Sequence, residues 1–157
     1  MAEGLLAFDD EGYLPPGIHP ATWTMVRERF GRTAVRRRLL AGLRDGARLL
    51  AAAGCRRLWL AGSFVTDIER REARPPRDID VGWEIAGVDL AALARLDPAL
   101  DPLQPDHAAQ RRRYGAEFFA IAEPVSIGQL DFFQHDRSGR RKGIVVVALD
   151  DERGGPT

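Results

Sequence analysis

Two aspartates, Asp78 and Asp80, lie on either side of one residue in the stretch RDIDVGWE, residues 77–84. The stretch alternates polar and apolar residues, as a strand does when one of its faces is buried. Side chains two residues apart on a strand share a face, about 7 Å apart from Cα to Cα. Carboxylates this close resist joint ionisation unless a cation lies between them. Since Mg²⁺ is usually held by one or two carboxylates together with substrate phosphates, the spacing favours a magnesium site.

A glycine turn precedes this pair. The apolar run RRLWLAG, residues 56–62, predicts a buried strand that ends at Gly62. Glycine allows a ligand to approach the backbone closely, and the N–H groups of Ser63 and Phe64, with the Ser63 hydroxyl, could bind phosphate oxygens. A helix beginning at Ser63 would add the attraction of its dipole. Phosphate donors beside metal-binding carboxylates are what nucleotide chemistry requires. Taken alone, Gly62 and Ser63 are more typical of an ordinary turn after a strand, and the alternative for Asp78 and Asp80 is a pair of solvated acids at an exposed strand end.

The stretch LAGSFVT…PPRDIDV resembles the signature of the DNA polymerase beta-like nucleotidyltransferases. That signature is an apolar residue, Gly, Gly or Ser, a spacer, then Asp, an apolar residue, Asp or Glu, and an apolar residue. The matching positions are Ala61, Gly62, Ser63, Asp78, Ile79, Asp80 and Val81. The resemblance implies a mixed sheet that carries the catalytic acids, and Mg²⁺-dependent transfer of a nucleotidyl group from a nucleoside triphosphate to a hydroxyl. Most of the chain is also similar to minimal bacterial proteins of this superfamily, which implies little about the substrate.

Members of the superfamily usually carry a third carboxylate on a later strand. The segment GQLDFFQ, residues 128–134, is predicted to be such a strand, and Asp131 is the candidate. With Asp78 and Asp80 it would hold a second Mg²⁺ and could accept the proton of the attacking hydroxyl. The alternative for Asp131 is an ion pair with an arginine of the neighbouring turn DRSGR.

Lys142 could reach a phosphate from the last strand, or it could be a solvated lysine at a strand edge. The adjacent arginines Arg36, Arg37 and Arg38 are expected on a solvated helix face. The spacer before Asp78 is slightly longer than is usual in the family, and IERREAR looks like a charged insertion at the rim of the site. Little chain follows Asp131, so we expect the helical domain that often grips the nucleobase or acceptor to be absent, with a partner chain as one substitute.

The remaining elements follow from capping and turn signals. The segment FDDEGYLPPGIHP, residues 8–20, predicts an extended arm. Two helices are predicted next, the first after the N-cap Thr22 and the second after the N-cap Thr33. Shorter helices are predicted over 88–96, capped by Asp89, and over 105–115. Strands are then predicted over AEFFAIA, GQLDFFQ and KGIVVVAL, with DRSGR as the turn between the last two.

These elements predict one α/β (α+β) domain over residues 1–157, with a mixed sheet of about four to five strands covered by helices. Residues 1–20 would form the N-terminal arm and residues 150–157 a flexible tail. The length of 157 residues and the 45% hydrophobic content suit a single core.

Charge and cysteine content restrict the partners and the compartment. Basic and acidic residues number 23 each, so the net charge is zero and nucleic acid is not a favoured partner. One cysteine permits no internal disulfide, and no signal peptide or membrane-spanning run is recognised, which indicates the cytoplasm. The expected partners are a nucleoside triphosphate, a hydroxyl acceptor (a protein, an RNA or a small molecule) and a protein partner or a second copy of the chain.

The sequence therefore favours a Mg²⁺-dependent nucleotidyltransferase. The alternative is a nucleotidyltransferase-like binding module with weak or no activity, such as one component of a toxin–antitoxin or defence pair. The three candidate carboxylates favour the enzyme, because a site that binds no metal has no chemical need for them.

Overall fold

The structure, a computed structural model, describes residues 5, 7–122, 130–131 and 133–150. This part of the chain forms an α+β fold in which a mixed five-stranded sheet packs against five α-helices. The fold class predicted from the sequence is confirmed.

The direction of the second strand decides which residues meet. The strands are β1 (Gly17–Ala21), β2 (Arg57–Ala61), β3 (Ile79–Glu84), β4 (Ala116–Ile121) and β5 (Gly143–Ala148). Their order is β1-β5-β2-β3-β4. Strand β2 is antiparallel to both β3 and β5, whereas β4 is parallel to β3. The end of β2 therefore lies level with the beginnings of β3, β4 and β5.

Three of the five described α-helices begin at the caps predicted from the sequence. The α-helices are α1 (Trp23–Phe30), α2 (Ala34–Ala52), α3 (Ile68–Glu72), α4 (Leu90–Leu96) and α5 (His107–Tyr114), with 3-10 helices at Ser63–Val65 and Pro98–Leu100. The side chains of Thr22, Thr33 and Asp89 each accept a hydrogen bond from the third residue of their helix, as N-caps do. No helix within the described ranges is both long enough and apolar enough to span a membrane.

The two faces of the sheet are packed differently. The main core lies on one face, where strand residues such as Leu60, Val81 and Val145 pack against α1, α2 and α4. The opposite face carries a smaller cluster around Trp59 and Ile121. Because side chains alternate along a strand, the polar residues of β3 and β4 lie on this second, less covered face.

The prediction of a strand over GQLDFFQ was wrong. Leu130, Asp131 and Phe133 are helical, whereas Gly128, Gln129 and Phe132 lie outside the described residues. Leu130 and Phe133 are three residues apart and so share one helix face. Both are buried in the smaller cluster, which leaves Asp131 exposed on the other side of the helix.

Part of the predicted N-terminal arm is a sheet strand. β1 pairs in parallel with β5, from Gly17 opposite Gly143 to Ala21 opposite Val147. The prolines and glycines of residues 8–20 predicted an extended arm or loop, and β1 can nevertheless include Pro20 because it is an edge strand, where proline is tolerated. Similarly, the charged segment IERREAR contains α3. Residues 1–4 and 6 of the arm and 151–157 of the predicted tail lie outside the described residues.

The prediction that Arg36 lies on a solvated helix face was also wrong. Its side chain is only 1% exposed. It donates to the carbonyl oxygens of Phe64 at 2.6 Å and Thr66 at 2.7 Å, and it forms a two-pronged ion pair with Glu69 at 2.6 and 2.9 Å. The planar guanidinium has five donors, enough to satisfy several acceptors at once. Arg36 therefore fixes α2 to the segment that follows β2.

We expect Arg36→Met to lower the free energy of unfolding by about 3 kcal/mol, because it leaves buried carbonyl oxygens and Glu69 without their donors. Arg38→Met on the same helix is the matched control, since Arg38 is exposed and surface changes usually stay within about 0.5 kcal/mol. Urea unfolding followed by circular dichroism measures both. Equal stability of the two variants would show that Arg36 does not hold this segment.

Candidate functional site

Four polar or glycine positions line up across one end of the sheet. Lys142 directly precedes β5, Gly62 directly follows β2, Asp80 is in β3 and Glu117 is in β4. Ala61 pairs with Asp80, and Asp80 pairs with Glu117. Neighbouring strands lie about 4.8 Å apart, so the row from β5 to β4 spans about 15 Å. The strand order thus brings together residues that are far apart in the sequence.

The glycine turn lies against the second aspartate. Gly62 has a φ of 82°, a backbone conformation that residues with a Cβ rarely adopt. A Cβ on Gly62 would lie 2.8 Å from Oδ2 of Asp80. Glycine is therefore required here by the backbone angle and by the approach of the carboxylate. The structure brings the predicted turn and the predicted acid into direct contact.

Beyond Gly62 the chain forms the 3-10 helix Ser63–Val65, which is only three residues long. The hydroxyl and the N–H of Thr66 both donate to the Ser63 carbonyl, at 2.8 and 3.1 Å. The N–H groups of Ser63 and Phe64 donate to no acceptor among the described residues. Arg36 donates a hydrogen bond to the Phe64 carbonyl oxygen, and this bond helps to fix the backbone that carries the two N–H groups.

Glu117 is the carboxylate that the sequence analysis missed. It lies beside Asp80 on the parallel neighbour strand, and its charge acts on both Asp78 and Asp80. It also pairs with Arg111 of α5. The available signal was that Glu117 is the one charged residue in the otherwise apolar strand AEFFAI. A charged residue in a largely buried strand is costly unless it has a partner or a role. The pairing of this strand with β3 could not be deduced from the sequence.

Asp131, the third carboxylate proposed from the sequence, lies elsewhere on its helix. Its side chain is 55% exposed, and its Oδ2 lies 3.7 Å from Nδ1 of His135. Its charge is not among those that shift the pKa of Asp78 or Asp80 within the described part of the chain. The structure brings together Asp78, Asp80, Gly62, Ser63 and Lys142 but does not bring Asp131 to them.

The carboxylates of the site repel one another, and the charges of Arg77, Arg111 and Lys142 neutralise them only in part. Burial raises the pKa of Asp80 to about 6, with further contributions from the charges of Asp78 and Glu117. Burial also raises the pKa of Asp78, again with a contribution from Glu117. The amine of Lys142 is buried beside Asp80, and burial lowers its pKa although the Asp80 charge opposes this. A cation placed among the carboxylates would favour their charged forms and so oppose both burial, the larger cause of the raised pKa values, and their mutual repulsion.

The oxygen atoms of the two aspartates are ligands of the type that hard cations prefer. No group of three or more His, Cys, Asp or Glu side chains is arranged as a metal-binding cluster within the described residues. The ligand atoms that Asp78 and Asp80 offer are carboxylate oxygens, which suit Mg²⁺ and not a metal that prefers thiolate or imidazole ligands. Mg²⁺ is usually held by one or two carboxylates with other oxygen ligands, so the pair by itself would be an incomplete ligand set.

We expect Asp80→Asn to be more stable than the wild type by about 2 kcal/mol at pH 7.5 without divalent cations. The pKa of Asp80 is raised to about 6 in the folded protein. The folded state therefore loses stability as pH rises through the range from about 4 to about 6, where the unfolded Asp is already ionised. Asparagine does not titrate, so the advantage of the variant should vanish near pH 4.

Urea unfolding at pH 4 and pH 7.5 measures this difference, with Asp131→Asn as the exposed matched control. If Asp80→Asn were less stable than the wild type at pH 7.5, ionised Asp80 would not be destabilising in the folded protein, contrary to its raised pKa.

Comparison with known proteins gives one match. Residues 6–148 match the family described as "Family of unknown function (DUF6932)". No curated protein and no solved structure matches the chain. Since the family match spans most of the chain, including the whole row from Gly62 to Lys142, the protein belongs to this family of unknown function.

Proposed function

We propose that the protein is a Mg²⁺-dependent nucleotidyltransferase that moves a nucleoside monophosphate from a nucleoside triphosphate to a hydroxyl acceptor. The observation that carries the proposal is the row Lys142, Gly62, Asp80 and Glu117 at one end of the sheet. An amine and the backbone N–H groups that follow Gly62, which could bind phosphate, thus lie near carboxylates that could hold a metal. The contact between Gly62 and the Asp80 carboxylate supports a shared site for the two groups.

In this proposal the phosphates of the nucleoside triphosphate bind at the side of the row formed by β2 and β5. The N–H groups of Ser63 and Phe64 point to no described acceptor and would bind the β and γ phosphates. Lys142, buried beside Asp80, would neutralise part of the phosphate charge. Bound Mg²⁺ would supply positive charge for the developing charge on the phosphates. Positioning and neutralisation of charge account for most of the acceleration in such reactions.

In this proposal the carboxylates lie near the α-phosphorus and the acceptor hydroxyl. Asp78 and Asp80 would hold the metal, and Glu117 lies on the side away from the phosphate donors. The acceptor oxygen forms a bond to the α-phosphorus while the bond from that phosphorus to the bridging oxygen of pyrophosphate breaks. The proton of the acceptor hydroxyl passes to Glu117 or Asp80 and then to water. For Glu117 this requires release from Arg111, with which it pairs.

The same ion pair favours a second candidate function, a module that binds nucleotide or a protein partner without transfer. Glu117 is occupied by Arg111, and no three-ligand metal group is found within the described ranges. Such a module could act in a toxin–antitoxin or defence pair. It would bind a nucleotide or a partner but release no pyrophosphate, which distinguishes it from the enzyme.

We expect Asp78→Asn, Asp80→Asn and Glu117→Gln each to weaken Mg²⁺-dependent nucleotide binding at least about tenfold, equivalent to about 1.4 kcal/mol. Asp78→Asn and Asp80→Asn each remove a proposed metal ligand, and Glu117→Gln removes a negative charge that acts on both of them. Asp131→Asn is the matched control and should bind as the wild type does, because Asp131 lies apart from the row. Isothermal titration with each of the four ribonucleoside triphosphates, with and without Mg²⁺, measures the effect.

Two results would overturn these assignments. If Asp131→Asn lost binding while Glu117→Gln kept it, the third carboxylate would be Asp131 and not Glu117. If the folded wild type bound no nucleoside triphosphate at all, the transferase proposal would fail and the binding module would be favoured.

A further inference from the structure

A cavity of about 400 Å³ lies at the outer edge of β4. Its described lining includes five aromatic side chains, counting the imidazole of His107, and one small residue. They are Trp83, His107, Phe118, Phe119, Phe133 and Ala120. A volume of this size is within the range of pockets that bind small molecules, which are mostly apolar with a few polar groups.

Three of these rings form a continuous series. The ring centroids of His107 and Phe119 are 4.8 Å apart, and those of Phe119 and Phe133 are 5.7 Å apart, with tilted planes. Aromatic rings prefer such tilted or offset neighbours to a face-to-face sandwich. A further flat ring can enter this series with the same geometry. His107 is the side chain in the series that can also exchange a hydrogen bond.

The cavity adjoins the row on its acceptor side, an argument that rests on the proposed function. Glu117 and Phe119 are two residues apart on β4, so they share a face at about 7 Å. The phosphate donors Ser63 and Lys142 lie on the opposite side of Asp80, beyond β3. In phosphoryl transfer the incoming oxygen and the leaving group lie roughly in line on opposite sides of the phosphorus. With pyrophosphate on the β2 and β5 side, the incoming hydroxyl comes from the side of β4 and this cavity.

The charge of the lining restricts the acceptor. The described lining residues include no Asp, Glu, Lys or Arg. A polycationic amino sugar would find no counter-charge among the described lining residues, and the phosphates of an RNA would find none among them either. A flat apolar body that carries a hydroxyl would bury its ring among the aromatic side chains and keep its polar end towards Glu117.

We propose that this cavity is the acceptor site, and that the acceptor is a small molecule whose hydroxyl is attached to an aromatic ring. The phenolic oxygen forms the new bond to the α-phosphorus, pyrophosphate leaves with the electrons of the broken P–O bond, and the phenolic proton goes to a carboxylate of the row. The products are an aryl ester of the nucleoside monophosphate and pyrophosphate.

The first test measures binding of the probe 4-ethylphenol by saturation-transfer NMR. We expect the wild type and Asp80→Asn to bind it equally, because the cavity does not use that carboxylate. Ala120→Trp should weaken binding about tenfold by filling the cavity, and Phe119→Leu should also weaken it by removing the central ring. Leu103→Ala is the matched control, since Leu103 is 83% exposed close to the cavity but does not line it.

The second test measures transfer. The full chain, Mg²⁺ and each nucleoside triphosphate are incubated with 4-ethylphenol, an amino sugar or a short RNA, and products are identified by mass spectrometry. We expect an aryl nucleotide with the wild type and Leu103→Ala, none with Asp80→Asn, and much less with Ala120→Trp or Phe119→Leu.

Failure of the cavity assignment differs from failure of the proposed function. If 4-ethylphenol does not bind, binds both cavity variants as it binds the wild type, or is left unmodified while the amino sugar or the RNA is modified, the acceptor assignment is overturned. The same holds if nucleoside triphosphate and phenol both bind and no aryl nucleotide forms. If phenol binds but no nucleoside triphosphate does, the nucleotidyltransferase proposal is overturned and the acceptor role falls with it.

Discussion

The buried guanidinium of Arg36 is the interaction on which the geometry of the candidate site depends. It ties α2, the longest helix of the described structure, to the carbonyl oxygens of Phe64 and Thr66. These residues follow the Gly62 turn, and their positions determine the direction of the Ser63 and Phe64 N–H groups. A loop after a strand is ordinarily among the more mobile parts of a domain. Here several charge-assisted hydrogen bonds in a dry environment hold it, which is the condition for presenting donors to a ligand without first ordering them.

Strand direction supplies the second constraint. β2 runs against both of its neighbours, so its last residues meet the first residues of β3 and β5 at the same end of the sheet. β4 then adds Glu117 in register with Asp80 because it is parallel to β3. A parallel β2 would place Gly62 at the far end of β3, away from Asp80. The chemistry therefore depends on topology as much as on residue type.

The parts of this arrangement that the sequence predicted are those encoded by local patterns. The alternation in RDIDVGWE predicted which side chains share a face, and Thr22, Thr33 and Asp89 marked helix starts, because capping involves only neighbouring residues. The pairing of Glu117 with Asp80 and the burial of Arg36 depend on contacts between distant segments and were missed. The strand prediction around Asp131 failed because Leu130 and Phe133 suit a helix face as well as a strand, and only packing decides between them.

A site of this kind lowers the stability of the protein that carries it. Asp78 and Asp80 are partly buried near Glu117, and burial raises the pKa values of the two aspartates and lowers that of Lys142. Each shift means that the folded state disfavours the charged form that metal and phosphate binding would use. The main core on the opposite face of the sheet offsets this cost, with fully buried residues such as Leu43, Leu58 and Val81. The stabilising core and the carboxylates of the row thus lie on opposite faces of one sheet, so the cost of burying these charges is kept apart from the packing that offsets it.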